Sequence, residues 1–264
     1  MFKFSEDSNY LMPVHFGGYP GKPQAAAYHD VISIMVSYET NSEMLAAFIP
    51  EPFQTAQPIL TIQYSMCRRV DWMAGSGYNL ITVGVPAAHV QGRERIEGLY
   101  VLVIWENRTA PILAGREQSG MPKIFADIED HHQLGDRLLT NASYEGWTFL
   151  RMDFRRAKQM SSDELSRLNQ RAGTVNAFGW RYIPNIGRPG AALSHATLFP
   201  QEFVYTAAWQ GEGQIHWEAL GPEQYAGYAP ITQALSRLPI KAYRDCMMTQ
   251  GSLVLRNDLS RQLP

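Results

Sequence analysis

Short runs of β-branched and aromatic residues, separated by turn residues, recur along the 264-residue chain and constrain its fold more than any other feature. Such runs favour strands, because these side chains pack well on a pleated, half-buried surface. The predicted strands are residues 31–38, 58–66, 79–85, 98–105, 148–156 and 251–256, with one or two more in 197–217. The pattern therefore predicts a β-rich α+β fold in which an antiparallel or mixed sheet curls into a central barrel with a few peripheral helices.

Helices are few and lie between the strand runs. Residues 40–48 predict one helix, with Ser42 as a candidate N-cap, and residues 161–171 predict another with a Ser/Asp start. Residues 1–27 are rich in Gly, Pro and Tyr and predict an extended arm, and residues 171–192 predict a loop. Because no linker-like segment divides the chain, residues 1–264 are expected to form a single domain.

Composition and charge place the chain among globular proteins and argue against several kinds of partner. The apolar fraction of 45% is far from a disordered composition, and a formal net charge of −2 provides no basic excess for nucleic acid or an anionic membrane. Residues 1–13 lack the apolar run of a secretion signal, and Cys67 and Cys246 suggest neither a disulfide framework nor a metal quartet. A cytoplasmic location is therefore expected.

No motif in the chain points to a cofactor. Gly75 and Gly77 lack the third glycine and the helix start of a dinucleotide site, so they predict a turn. His131 and His132 are adjacent, and on a strand their side chains would point to opposite faces, so a shared metal ion is not expected. We therefore expect no metal, nucleotide or flavin.

Lys123 stands out because lysine is rare in this chain and this one is flanked by Met121, Pro122, Ile124 and Phe125. Burial among apolar side chains disfavours the ammonium form, so the pKa of this lysine is expected to fall. A neutral amine is a nucleophile towards carbonyl carbon. The alternative is a lysine at a strand edge whose stem packs on apolar neighbours while its head reaches water.

The segment around this lysine resembles the acetoacetate decarboxylase-like superfamily, which carries Gly-Arg-Glu, four variable residues and then Pro-Lys-Lys. Residues 115–117 and 122–123 stand at that spacing. Further landmarks of the superfamily match residues 49–52, 77–79, 85–86 and 238–241, so the resemblance covers roughly residues 28–255. It implies a cone-like barrel, a homo-oligomer, and a Schiff base formed by Lys123 deep in the barrel.

Departures from the decarboxylase pattern bear on the reaction. The second lysine of the motif is replaced by Ile124, which removes the neighbouring cation that activates the lysine in acetoacetate decarboxylase. Any fall in the pKa of Lys123 is then expected to come mainly from removal of its amine from water. An arginine and two glutamates of the decarboxylase pattern align with Val31, Gln63 and Leu80, which are uncharged. Their loss argues against acetoacetate as the native substrate.

The changed site resembles the branch of the superfamily that condenses pyruvate-like 2-oxo acids with an aldehyde and then dehydrates the product. The reaction would pass through an iminium and an enamine on Lys123, and it needs an acid/base group and a donor for the carboxylate. Besides Lys123, the candidates for catalysis are Glu117, Tyr78 and Gln118, and those for substrate binding are Arg116, Gln63, Met121, Leu80 and Val31. Two alternatives stay open: a decarboxylase of a β-keto acid such as acetoacetate, and a non-catalytic β-barrel that binds small molecules.

Overall fold

The computed structural model describes residues 2–21, 23–55 and 57–264, so Met1 and Lys22 of the predicted arm lie outside the described residues. The helices are α1 (Ser42–Ala46), α2 (Thr109–Ser119), α3 (Ser162–Arg171) and α4 (Ala229–Ser236). The strands are β1 (Ser8–Asn9), β2 (Tyr19–Pro20), β3 (Ala26–Glu39), β4 (Phe53–Gln54), β5 (Ile59–Val70), β6 (Tyr78–Gln91), β7 (Glu94–Glu106), β8 (Lys123–Phe125), β9 (His132–Leu134), β10 (Arg137–Tyr144), β11 (Trp147–Gln159), β12 (Val175–Pro184), β13 (Ala191–Trp217), β14 (Ala242–Leu255) and β15 (Arg261–Gln262).

The long strands form a closed ring within one large mixed sheet. Neighbouring strands follow the order β12-β7-β6-β5-β3-β14-β13, and β12 also pairs with β13, which closes the ring. Most of these pairs are antiparallel, but β12 lies parallel to β7, and the short β8 also pairs parallel with β7. Beyond the ring, β11, β10 and β9 extend the sheet from β13. The predicted β-rich α+β class with a mixed sheet is confirmed.

One face of the ring strands points into the ring. A buried apolar cluster joins Val101 and Ile104 of β7, Ala177 of β12 and Phe199 of β13, with Leu255 of β14 packed against it. These four strands are consecutive in the ring, and Leu80 of β6, on the far side of β7, packs against the same cluster, so the side chains meet in the interior of the ring.

The opposite face of the same strands builds the larger core. Ile34, Ile62 and Trp105 belong to a cluster that also includes Phe149 of β11 and Leu235 of α4. Each strand contributes to both clusters, because successive side chains along a strand point to opposite faces of the sheet. The ring strands are therefore covered on both faces, which suits their Val-, Ile- and Leu-rich sequences.

Most predicted elements are confirmed, with longer bounds. The predicted 197–217 segment is one strand, β13, which begins at Ala191. Helix α3 begins with a capping box, in which Ser161 accepts from the backbone of Glu164 and the Glu164 side chain accepts from the backbone of Ser161. Helix α1 is shorter than predicted, and its N-cap is Asn41, not Ser42. The predicted arm is also shorter, because β3 already begins at Ala26.

Two segments were predicted wrongly. Residues 171–192 were expected to be a loop, but they contain β12, which is needed to close the ring. Helix α2 was not predicted, because Pro111 and Gly115 are poor helix formers. Pro111 is tolerated because it lies in the first turn, where backbone N–H groups have no partner within the helix. None of the helices in the described part of the chain has the length and apolar character needed to cross a bilayer.

Candidate active site

Lys123 begins β8 and faces the interior of the ring. It lies directly opposite Ile104 in the parallel β7–β8 pair, and Ile104 belongs to the interior cluster together with Met121. Only 8% of the residue is exposed, although it carries a primary amine. The predicted burial of this lysine is therefore confirmed.

The lysine amine is paired with a carboxylate that sequence analysis did not select. Lys123 Nζ lies 2.8 Å from Oε1 of Glu106, the last residue of β7. Glu106 is 1% exposed, and these two are the only buried residues among the lysines, arginines, aspartates and glutamates that the structure describes. A buried ion pair is expensive to desolvate and adds little net stability, so its presence points to a functional site.

Glu106 is more readily protonated than a carboxyl group exposed to water. Burial raises the pKa of Glu106, while the charge and hydrogen bond of Lys123 act in the opposite direction. Apart from Lys123, no described residue gives the carboxylate a hydrogen bond, so Oε2 is buried without a partner. This oxygen is therefore available to a bound molecule.

Helix α2 lies against the lysine side chain and fixes its course. Lys123 Nζ donates to the carbonyl of Pro111 at 3.3 Å, and Arg116 Nη1 donates to the carbonyl of Lys123 at 2.9 Å. The helix is capped by Gly120, whose φ of 67° lies in the left-handed region. The amine is thus held between the start of α2 and Glu106.

Gly115 of α2 leaves the space through which the lysine side chain passes. A Cβ at this position would lie 2.4 Å from Cδ of Lys123 and 2.8 Å from its Nζ. We therefore expect Gly115→Ala to fold, since alanine favours the helix by about 1 kcal/mol, but to displace the amine and reduce activity by about 10²-fold. Gly173→Ala is the matched control, because its Cβ would meet nothing closer than 3.9 Å. Equal activity of the two variants would contradict the proposed course of the lysine.

Two tyrosines form a hydrogen-bonded chain near the ion pair. Trp72 Nε1 donates to the hydroxyl of Tyr28 at 3.2 Å, and the hydroxyls of Tyr28 and Tyr78 lie 3.1 Å apart. Burial is the main cause that raises the pKa of Tyr78, with the charge of Glu106 contributing. Burial also raises the pKa of the Cys67 thiol to about 12, with Glu106 again contributing. These side chains are therefore neutral donors beside the carboxylate.

The candidate residues at the C-terminal part of α2 do not join the ion pair. Gln118 is exposed, and the backbone carbonyl of the half-buried Glu117 accepts a hydrogen bond from Arg181. Among the described residues, neither side chain forms a hydrogen bond or ion pair with Lys123 or Glu106. Their assignment to catalysis stays a prediction that the geometry does not favour.

Three uncharged residues align with charged residues of the decarboxylase pattern, and all three lie on or beside the interior face of the ring. Val31 is buried in an apolar cluster against which Leu80 packs. Gln63 is half-buried and donates to Ser65 Oγ at 3.1 Å. Leu80 lies opposite Glu106 in the β6–β7 pair. The decarboxylase pattern has a glutamate at the position of Leu80 in β6. In this chain the carboxylate lies directly opposite, at Glu106 of β7.

Glu106 left a weak signal in the sequence. It is an acidic residue at the end of a long apolar run, residues 99–105, and that run was correctly predicted as a strand. An acid in this position reads as the solvent-exposed end of a strand. Only the register that places it beside β8 shows that it is buried and paired.

The stability of the protein should depend on keeping both charges or neither. Removing one partner with Glu106→Leu or Lys123→Met leaves an uncompensated buried group and is expected to lower the free energy of unfolding by about 3–5 kcal/mol. The double variant should lie much closer to wild type, because an apolar pair of similar volume replaces the ion pair. Urea unfolding of the four proteins at neutral pH measures this coupling. Additive single effects would show that the two charges do not interact.

A second concave surface lies outside the ring. It has a volume of about 560 Å³ and is lined mainly by β10, β11 and β13. Its charged residues include Arg137, which is paired with Asp153, and Asp130, which is paired with Arg68. Because the charged residues that line this groove are at least partly exposed, whereas Lys123 and Glu106 are buried, the groove is the weaker candidate.

Comparisons with known proteins place the whole chain in a family. A family model described as acetoacetate decarboxylase (ADC) matches residues 11–256. Acetoacetate decarboxylase 1 of Bradyrhizobium diazoefficiens is 32% identical over 246 residues, which are 92% of each chain. A crystal structure of acetoacetate decarboxylase from Legionella pneumophila has a TM-score of 0.73 at 16% identity and covers 92% of this chain and 88% of that one.

A different enzyme shares the fold to a similar extent. The enduracididine biosynthesis enzyme MppR, complexed with pyruvate, has a TM-score of 0.72 at 13% identity over 98% of this chain and 99% of that one. Another MppR structure, complexed with the condensation product of pyruvate and imidazole 4-carboxaldehyde, has a TM-score of 0.68 at 14% identity over 99% and 98% of the two chains. At these identities, the likeness concerns the fold.

Proposed function

The chain belongs to the acetoacetate decarboxylase family, and on that premise we propose that it is a lyase that forms a Schiff base on Lys123. The preferred reaction is condensation of pyruvate or a similar 2-oxo acid with an aldehyde, followed by loss of water. The observation that carries the proposal is the buried amine of Lys123, paired at 2.8 Å with the buried carboxylate of Glu106. No cofactor takes part in the proposed reaction.

The pair supplies what iminium formation needs. The amine must lose a proton before it attacks the carbonyl carbon, and Glu106 lies within reach to accept it. The same carboxyl group then returns the proton to the oxygen that leaves as water. The product is an iminium between Lys123 and the substrate, which withdraws electrons from the adjacent carbon.

The later steps also require an acid/base group beside the nitrogen. A methyl proton of the pyruvate ketimine is removed to form an enamine, whose carbon attacks the aldehyde, and a final proton transfer expels the new hydroxyl group as water. We assign these transfers to Glu106, with Tyr78 as a neutral donor. Because condensation and dehydration need more proton transfers than decarboxylation, the position of Glu106 favours the aldolase-dehydratase reaction.

The remaining candidate residues are assigned to binding and support. Arg116 positions Lys123 by a hydrogen bond to its backbone carbonyl. Met121, Leu80 and Val31 form an apolar wall of the proposed site. Gln63, with Ser65, provides a polar position on the wall. We take the ring of strands as the predicted cone-like barrel, formed by one domain in a homo-oligomer.

Decarboxylation of a β-keto acid is the second candidate function. The observation in its favour is that the relative with 32% identity is named acetoacetate decarboxylase. Loss of carbon dioxide from an acetoacetate iminium needs no aldehyde, and the enamine that remains takes up one proton at carbon before hydrolysis releases acetone. The same lysine would carry both reactions.

A pair of product assays separates the two functions. The protein is incubated with pyruvate and a set of aldehydes, and the conjugated 2-oxo-3-enoic acid is followed by ultraviolet absorbance. A parallel sample contains acetoacetate and is assayed for carbon dioxide. We expect the conjugated product and no enzymatic carbon dioxide release, with Lys123→Met inactive in both assays. Steady release of carbon dioxide at an enzymatic rate would contradict the preferred reaction.

A further inference from the structure

A row of side chains runs around the interior of the ring at the level of the ion pair. Glu106 of β7 lies opposite Leu80 of β6, and Leu80 lies opposite Ser65 of β5. Ser65 lies opposite Ser33 of β3, which in turn lies opposite Thr249 of β14. All five point to the interior, because a neighbour of each along its strand belongs to the larger core on the other face. These neighbours are Ile34, Tyr64, Ile81, Trp105 and Met248.

Two hydroxyl groups of this row form a pair that leaves one proton free. The Oγ atoms of Ser33 and Ser65 lie 2.8 Å apart, and Gln63 Nε2 donates to Ser65 Oγ at 3.1 Å. Each hydroxyl group has one proton, and one of the two protons lies in the bond between them. Among the described residues, neither hydroxyl group has a further acceptor. The pair can therefore donate one O–H to a molecule in the ring, beside the second N–H of Gln63.

The hydroxyl pair lies across the ring interior from the lysine. Only β6 separates β5 from β7, so the backbones of Ser65 and Glu106 are roughly 10 Å apart along the sheet. Their side chains approach each other more closely, because both point into the ring. A ketimine on Lys123 would lie next to Glu106. The hydroxyl pair is then on its far side, where a second substrate can approach the reactive carbon.

The next level of the ring is uncharged and half-buried. Met35 of β3 lies opposite Gln63 of β5 on one side and Met247 of β14 on the other. These inward-facing side chains are partly exposed, although Ser33 and Ser37, which flank Met35 on the same face of β3, are buried. An open space therefore adjoins this level. Because methionine side chains adapt to apolar groups of different shapes, the level suits an apolar substituent of a bound molecule.

We propose that Ser33, Ser65 and Gln63 bind the carbonyl oxygen of the second substrate, an aldehyde with an apolar substituent. This inference rests on the proposed enamine on Lys123. The free O–H and N–H groups donate to the aldehyde oxygen and direct its carbonyl carbon towards the enamine. The substituent lies along the two methionines of the adjacent level. Neutral donors suit a neutral aldehyde, because binding then buries no additional charge.

These donors act when the carbon–carbon bond forms. The enamine carbon attacks the aldehyde carbon, the π electrons of the C=O bond move to oxygen, and the Lys123 nitrogen becomes an iminium again. Hydrogen bonds aimed at that oxygen stabilise the negative charge that develops on it. Glu106, which removed the methyl proton, returns it to this oxygen, so the serines keep their own protons. Glu106 then removes a second proton from the same carbon and delivers it to the hydroxyl group that leaves as water.

Two reactions of the same protein separate this inference from the proposed function. Exchange of the pyruvate methyl protons with deuterated solvent needs the enamine but no aldehyde, whereas the conjugated product from pyruvate and benzaldehyde needs both. For the double variant Ser33→Ala/Ser65→Ala we expect exchange within about twofold of wild type and kcat/KM for benzaldehyde lower by about 10²-fold. Both serines are replaced because either hydroxyl group alone would retain a free proton.

The matched control changes the other hydroxyl pair on the same two strands. Ser37 Oγ and Thr61 Oγ1 lie 3.1 Å apart, and both residues are buried. Ser37 lies about 13 Å from Ser33 along β3, so Ser37→Ala/Thr61→Val should leave both reactions near their wild-type rates. Urea unfolding of the two double variants compares the cost of losing each pair.

A milder variant and a second aldehyde complete the test. Gln63→Leu keeps both serines and should lower condensation by about tenfold while exchange is retained. Glyceraldehyde, whose substituent carries hydroxyl groups, should be a poorer acceptor than benzaldehyde in the wild type; the reverse order would overturn the apolar class of the aldehyde.

The remaining outcomes are distinct. Unchanged condensation in Ser33→Ala/Ser65→Ala and in Gln63→Leu overturns this inference and leaves the Schiff base intact. An equal loss of exchange and condensation in these variants also overturns it, because the side chains would then act on pyruvate. Absence of exchange in the wild type overturns the enamine on Lys123 and, with it, this inference.

Discussion

Lys123→Met is expected to abolish exchange of the methyl protons of pyruvate with deuterated solvent. The wild-type protein should catalyse this exchange without an aldehyde, because each cycle of enamine formation and reversal replaces a methyl proton with a deuteron. Methionine fills the volume of the lysine but has no amine, so the rate should fall by more than about 10³-fold, towards the uncatalysed rate. Proton NMR of pyruvate follows the exchange.

The control for this variant is Lys158→Met. The Lys158 side chain is 63% exposed and pairs with Glu164 on the surface, so its loss should leave exchange unchanged. Circular dichroism and thermal melting of both variants establish that they are folded at the assay temperature. Exchange by folded Lys123→Met at the wild-type rate would show that the amine is not the nucleophile.

Glu106→Gln is expected to separate formation of the Schiff base from the proton transfers that follow it. The amide keeps the shape of the carboxyl group but cannot accept a proton, so methyl exchange should fall by about 10²–10⁴-fold. The lysine amine is retained, so borohydride should still trap pyruvate on Lys123 after longer incubation. Exchange rates from NMR and adduct yields from mass spectrometry are measured on the same preparations.

Two further variants make this result specific. Glu129→Gln changes an exposed glutamate and serves as the matched control, with exchange near the wild-type rate. Glu117→Gln tests the glutamate of the sequence motif, which does not contact the ion pair. A large loss of exchange in Glu117→Gln together with a small loss in Glu106→Gln would assign the acid/base role to Glu117 instead of Glu106.

The lysine could be predicted from sequence because its signal is local. A rare lysine between Pro122 and Ile124, at a fixed distance from residues 115–117, needs no knowledge of distant parts of the chain. The strands around it were also predictable, because β-branched residues recur within short segments. These local patterns were sufficient for the fold class and for the burial of the amine.

The partner of the lysine could not be predicted in the same way. Glu106 is seventeen positions earlier and becomes its neighbour only because β8 pairs in parallel with β7 across α2. Helix α2 itself was missed because of Pro111 and Gly115, although Gly115 is required by the close approach of the lysine side chain. Charges lost at aligned positions are visible in the sequence, whereas a carboxylate gained on an adjacent strand is visible only once the strand pairing is known.

The loop predicted for residues 171–192 illustrates the same limit. Strand β12 is specified by pairing with β7 on one side and β13 on the other, and its residues alone carry a weak strand pattern. Gly179 lies against Met121 and the carbonyl of Gly120, so a side chain there would clash. Long-range packing, which a single sequence does not display, therefore determines the closing strand and its close contact with Gly120 and Met121.

Borohydride trapping with pyruvate, followed by intact mass and peptide mapping, tests whether Lys123 forms a Schiff base. Borohydride reduces an iminium to a stable secondary amine, so we expect one adduct per chain on the peptide that contains Lys123, and none in Lys123→Met. The other lysines, at positions 3, 22, 158 and 241, serve as internal controls. No adduct with pyruvate or acetoacetate on the folded protein, or an adduct spread over the other lysines, would contradict Schiff-base chemistry at Lys123.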